Sequence, residues 1–184
     1  MPSLLLEGVP LETLIWLLPI AFFIHDGEEI ATVERWVRKY KEHPRINAVS
    51  GLWDLNKNMT VQFAIAVLLL GSIMSCVALF AALDYRINGT LNTLYCGLLS
   101  VFLLDGFKHV GLYFSLKRYT PGVITAAFVE IPFASYALYR FYDHGMIYGR
   151  TIAIGLGIAL PLTLFAVWAS LALGRMLAPS RGER

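Results

Sequence analysis

Phe23-Ile24-His25-Asp26-Gly27-Glu28-Glu29 places a histidine and three acids inside an apolar run that otherwise reads as a membrane-spanning helix. Ionisable side chains at such depth are expensive, and where they occur they face a protein interior or cavity and carry a function. His25, Glu28 and Glu29 stand at i, i+3 and i+4, so one helix face presents all three. An imidazole and two carboxylates on one face can hold a divalent metal or relay protons.

The rest of the chain has the composition that such a helix needs around it. Of its 184 residues, 57% are hydrophobic and 15% charged, with a mean hydropathy of +0.62. A soluble domain carries about 25% charged residues. Five apolar runs, about 11–34, 59–83, 91–116, 121–141 and 147–174, approach the ~20 residues that cross a bilayer. The expected fold is all-α: a polytopic membrane bundle of five transmembrane helices over residues 1–174, with a cytoplasmic tail at 175–184. Residues 178–184 are expected to be disordered. With no positively charged leader or small-residue cleavage site, the first helix reads as retained. Cys76 and Cys96 lie in apolar runs and are expected to pack as small hydrophobes, without a disulfide. Nothing in the charge pattern indicates a nucleic-acid partner.

Between the runs, local signals set the punctuation. Pro19 is expected to kink the first helix, which extends to about Tyr40 as an amphipathic segment. Residues 35–58 interleave basic side chains with Trp36, Tyr40 and Trp53, so this loop is expected to lie along the headgroup layer or to gate the site. Asp84 to Gly89 reads as a short turn, and Thr120-Pro121 as the cap and first turn of the fourth helix. Gly155, Gly157 and Pro161 predict close packing and a bend in the fifth.

The basic residues give an orientation. Arg35, Arg38, Lys39, Lys41, Arg45, Lys57, Lys117, Arg118, Arg175, Arg181 and Arg184 fall on one side of the bundle, against Arg86, Arg140 and Arg150 on the other. Eleven against three places the N-terminus outside and the C-terminus in the cytoplasm. At ~1.5 Å per helical residue, His25 lies ~15 Å and Glu28 ~10 Å below Arg35. On the same measure His109 lies ~12 Å and Asp105 ~18 Å from Lys117, and Glu130 ~18 Å from Arg118. Three helices thus carry their buried polar residues in one slab of the cytoplasmic half. His43 and His144 lie outside it.

Two imidazoles and several carboxylates gathered in hydrocarbon need a balancing charge. Lys108 can offset one carboxylate, or His25 and Glu28 can simply tie helices together. A divalent metal, zinc or iron, suits the His/Glu/Asp donor set better. The expected ligands are His25, Glu28, Glu29 and His109. Glu29, Asp105 and Glu130 are the candidates to orient a ligand or move protons, and Asp26 points away from the His25 face. The His-x-x-Glu spacing reverses the Glu-x-x-His pairs of di-iron bundles.

The string His25-Asp26-Gly27-Glu28-Glu29 resembles the motif of the HxxEE-domain family of small integral membrane proteins. His109 with the later Tyr119-Thr120-Pro121-Gly122-Val123-Ile124-Thr125-Ala126 resembles that family's second signature region, so the likeness covers roughly residues 11–130. It implies site roles for His25, Glu28, Glu29 and His109, and assigns none to Asp105 or Glu130.

Three functions fit these readings. The first is a metal-dependent membrane enzyme, a hydrolase or oxidoreductase, acting on a lipid or other apolar small molecule. The second is a metal-free acid–base isomerase of the emopamil-binding type, similar in size and span number. The third is a proton- or ion-coupled transporter, in which a homodimer would supply the symmetry that a five-span chain lacks. The expected setting is the cytoplasmic membrane of a prokaryote, with membrane lipids as neighbours.

Overall fold

The computed structural model describes residues 8–40, 42–43 and 53–180. Among them the chain is all-α, with no named strand and one isolated bridge between Lys57 and Ser180.

The helix carrying the acidic motif, α1, is Leu11–Tyr40. Among its buried residues Leu14, Leu18, Phe22, His25, Val33 and Val37 are spaced three, four or eight apart and mark an inward stripe, which Ile15, Pro19, Ala21 and Asp26 widen. His25 lies in the middle of that stripe, so its imidazole points into the bundle along with the leucines. Pro19 lies within α1, which remains one helix on both sides of it.

The next helix, α2, is Met59–Asn88, and Asn58 caps it by accepting from the Val61 N–H at 3.1 Å. It absorbs the stretch expected to be a turn. Asp84 to Asn88 are helical, and the chain turns only at Gly89, whose φ of 69° lets its N–H reach the Tyr85 carbonyl at 2.8 Å. Arg86, on the last turn, donates to Glu12 at 2.8 Å and pins the end of α2 to the start of α1. The third helix, α3, is Thr93–Leu116, capped by Asn92 and closed by Lys117 in the left-handed region at φ 50°.

The fourth stretch, α4, is composite. One α-turn, Val123–Thr125, leads into a π-helical turn, Ala126–Glu130, and then into Ile131–Asp143. Thr120 is not its cap. Gly122, at φ 80°, takes the position before the helix, and Pro121 stays outside. The last helix, α5, is Gly149–Leu177 and continues through residues expected to be tail. Ala178 to Ser180 are also held: Ala178 is buried, and the Pro179 carbonyl accepts from the Asn58 N–H at 3.2 Å. Residues 181–184 lie outside the described residues, as do 41 and 44–52 of the expected surface loop. At that loop's end, Asp54 exchanges two hydrogen bonds with the buried Gln62 amide, at 2.7 and 3.0 Å.

Packing pairs α1 with α2, α2 with α5 and α3 with α5, while α4 closes against α3 and α1. The α3–α5 contact is backbone-close. A Cβ on Gly97 would lie 2.1 Å from the Gly155 carbonyl oxygen and 2.8 Å from the Ala159 Cβ. Small residues allow this approach where no hydrophobic effect drives helices together. Gly155 thus does what its sequence context suggested, whereas Gly157 is exposed with open space around it. We therefore expect Gly97→Ala to lower stability by about 1–3 kcal/mol, read as a fall in Tm in mild detergent. Gly157→Ala is the control and should cost nothing; equal effects of the two would refute the close contact.

Three helices, α2, α3 and α5, are long and apolar enough to cross a membrane by length and composition. Their outer faces carry exposed apolar side chains such as Leu68, Ile73, Phe80, Leu164 and Phe165. The other two stretches differ for physical reasons: α1 carries acids along its length, and α4 is broken by its π-turn.

Candidate metal centre

α1, α3 and α4 meet around two imidazole rings. His25 and His109 are both buried, with ring centroids 4.8 Å apart in an edge-on arrangement. Gly122 makes room for them: a Cβ there would lie 2.8 Å from His25 Cε1 and 3.0 Å from His109 Cε1. Its positive φ turns the Pro121 carbonyl into the site, where it lies 2.9 Å from His109 Nδ1. A carbonyl can only accept, so Nδ1 carries a proton. In the neutral ring Nε2 then presents a lone pair; in the imidazolium it donates.

That lone pair faces carboxylates. His109 Nε2 lies 3.0 Å from Asp105 Oδ2 and 3.5 Å from Glu29 Oε1. The same argument applies to His25. The Thr125 hydroxyl donates to Glu28 Oε2 at 2.7 Å, so towards His25 Nδ1, 3.2 Å away, it accepts. His25 Nε2 is then the bare nitrogen, 3.8 Å from Asp105 Oδ2. Asp105 is shared in the other direction too, since its Oδ1 accepts from Lys108.

Glu130 comes from the π-turn and is fully buried at 0% exposure. Its Oε2 is 3.3 Å from His25 Nδ1, yet neither carboxylate oxygen has a well-angled hydrogen-bond partner. Such an isolated carboxyl is costly unless it holds a proton or faces a cation. The donor atoms form two overlapping trios, His25 with Glu29 and His109, and His25 with Asp105 and Glu130, each within 4.8 Å. Single π-turns often occur at functional sites, because the extra residue re-aims the side chains that follow.

A family model described as a protein of unknown function with an HXXEE motif matches residues 16–137. The chain belongs to the HXXEE family. No curated protein and no solved structure matches it. The match runs from within α1 to within α4, so it takes in the site-bearing parts of α1, α3 and α4, and leaves out α5.

Within the HXXEE motif the three residues separate. His25 and Glu29 enter the donor clusters, while Glu28 belongs to neither. The Glu28 carboxylate accepts from the Tyr119 hydroxyl at 2.6 Å, the Thr125 N–H at 2.8 Å and the Thr125 hydroxyl at 2.7 Å. It therefore ties the start of α4 to α1 and orients Thr125 against His25. Asp26, expected to point away from the site, is also buried. Sequence reading named none of Tyr119, Pro121, Gly122 or Thr125 as part of the site. Their signals were the Thr-Pro-Gly break after α3 and the resemblance of Tyr119 to Ala126 to the family's second signature region; neither shows which hydrogen bonds these residues make.

Glu28→Gln puts an amide N–H₂ where three donors converge. We expect it to cost about 1–3 kcal/mol of stability, seen as a lower Tm, while both donor trios keep their members. Unchanged stability would contradict the helix-tying role.

Proposed function

We propose that this HXXEE protein holds a divalent metal, zinc or iron, between α1, α3 and α4, and uses it on a lipid or other apolar substrate. One observation carries the proposal. His109 Nε2, with its proton placed on the other ring nitrogen, points a lone pair at two carboxylate oxygens 3.0 and 3.5 Å away. Three lone pairs that converge repel one another unless a proton or a metal ion lies among them, and with His25 and Glu130 gathered beside them a metal ion serves the whole donor set. Donor atoms around a tetrahedral zinc are about 3.3–3.6 Å apart; the Glu29 contact at 3.5 Å lies in that range, and the Asp105 contact at 3.0 Å would open slightly around an ion. Lys108 is the only lysine or arginine paired with the cluster among the described residues, against Glu29, Asp105 and Glu130.

His25, Glu29, His109 and Asp105 would hold the ion. A metal there supplies Lewis acidity and lowers the pKa of a bound water. Pro121 and Thr125 hold the two rings in the ligating tautomer, as the outer partners of metal-bound histidines generally do. Glu130, buried beside His25, is placed to hold or move a proton.

The membrane setting is part of the proposal. Five crossings with the N-terminus outside are supported by the lysine and arginine asymmetry of the loops, and by three helices long and apolar enough to span. In that arrangement α1 and α4 cross as inward-facing helices, and the centre lies within the cytoplasmic half of a cytoplasmic membrane. A site at that depth is reached most easily by molecules that partition into lipid.

A second reading is favoured by Glu130 alone. Its unpartnered carboxyl could serve acid–base chemistry without metal, as in the emopamil-type isomerases. Elemental analysis of protein purified in mild detergent, followed by metal reconstitution, tests the choice. Near-stoichiometric transition metal supports the first reading; none bound and none taken up supports the second.

A further inference from the structure

Above the metal centre, along the same face of α1, lies a groove of about 330 Å³ lined by Thr32, Arg35, Trp36, Lys39, Tyr40 and Tyr119. His25, Glu28, Thr32, Arg35 and Lys39 follow one another at alternating spacings of three and four, so one helical stripe runs from the imidazoles to the groove. Tyr119 joins the two places physically. Its hydroxyl donates to Glu28 at 2.6 Å, and its carbonyl accepts from the Trp36 indole N–H at 2.7 Å.

The groove is cationic. Arg38, one position from Lys39, is neutralised by Glu34 at 3.0 Å. By contrast, no carboxylate pairs with Arg35, Lys39 or Arg118 among the described residues. Lys39 and Arg118 instead both stack on Tyr40, at 5.2 and 5.0 Å from the ring centroid. Cations held by an aromatic ring without a counter-ion, beside indole and phenol walls, suit a phosphate group at the membrane–water boundary.

We propose that this groove binds the anionic phosphomonoester headgroup of a membrane lipid, in preference to zwitterionic phosphodiesters, and that this lipid is the substrate class of the centre below. The second half of the proposal rests on the metal-centre reading; the first half does not. The helix sets a ruler. Glu29 lies ~9 Å and His25 ~15 Å from Arg35 along the axis, so with phosphate in the groove the centre meets the lipid's apolar chain, not its headgroup bond.

The test is binding of a short-chain phosphatidic acid to the protein in phosphatidylcholine nanodiscs, beside diacylglycerol of the same chain length and inorganic phosphate alone. The expected result is tight binding of the phosphatidic acid only. Arg35→Ala and Lys39→Ala should each weaken it about fivefold, and together about 25-fold. Lys117→Asn removes one charge from the same surface outside the groove lining, and should change binding little. Equal binding of diacylglycerol, tight binding of free phosphate, or an equal loss in Lys117→Asn would each overturn the assignment. Elemental analysis of the same samples separates the two claims. Metal without headgroup discrimination defeats this inference alone, whereas discrimination without metal leaves the headgroup site standing and defeats the metal-centre reading together with the substrate assignment that rests on it.

Discussion

His109→Ala is expected to lower the affinity for a divalent metal by more than about 100-fold, leaving the purified protein without metal. The reason is local. Removing the groups that merely orient a liganding histidine costs about 10–100-fold, and this substitution removes the ligand itself. His25→Ala should do the same, because both donor trios include His25. Competition against a chromophoric chelator gives the affinity, and elemental analysis after gel filtration gives the stoichiometry. Glu28→Gln is the internal comparison: it alters the motif but neither trio, and it acts on His25 only through Thr125, so it should weaken metal binding by at most about 10–100-fold, less than either histidine variant. Metal retained in both histidine variants would place the ion elsewhere and remove the basis of the proposed function.

Gly122→Ala should have the next largest effect, for two separable reasons. At φ 80° an alanine bears a backbone cost of about 1–2 kcal/mol. Its Cβ would also press on both imidazoles, at 2.8 and 3.0 Å from their Cε1 atoms, and the rings cannot easily retreat while Pro121 and Thr125 hold them. Together these should destabilise the protein by about 2–4 kcal/mol and weaken metal binding by about 10–100-fold. Gly89→Ala isolates the first cost, since Gly89 has a φ of 69° with nothing near its would-be Cβ. If the two glycine variants lose equal stability and both keep metal, the close approach of Gly122 to the histidines is refuted.

The helices themselves were legible because apolar run length and hydrophobic period depend only on neighbours in sequence. His25, Glu29, Asp105, His109 and Glu130 were found by the same local logic, as ionisable residues misplaced in apolar runs. The boundaries were less legible. A turn was expected at Asp84, but the helix continues there, because Arg86 finds Glu12 on another helix and Gly89 supplies the left-handed stop. Thr120 has a capping side chain, yet Gly122 takes the cap position at positive φ, and the Pro121 carbonyl accepts from His109.

Sequence alone determined that the chain is helical and apolar and that one stripe of α1 carries a histidine and acids towards α3 and α4. Depth counted along a helix is a one-dimensional quantity, and it sufficed to place those residues in a common slab. Only the tertiary structure decided which of them face one another. Glu28 and Glu29 are adjacent in sequence and one carboxylate looks much like the next, but Glu28 is taken up by Tyr119 and Thr125 while Glu29 is left facing His109. The tautomers of both rings likewise depend on acceptors contributed by the Pro121-to-Thr125 segment, far from His25 in the chain. A hydrogen bond is directional and short-ranged, so the roles within the site follow from which donors reach which acceptors, and that is settled only once the helices have packed.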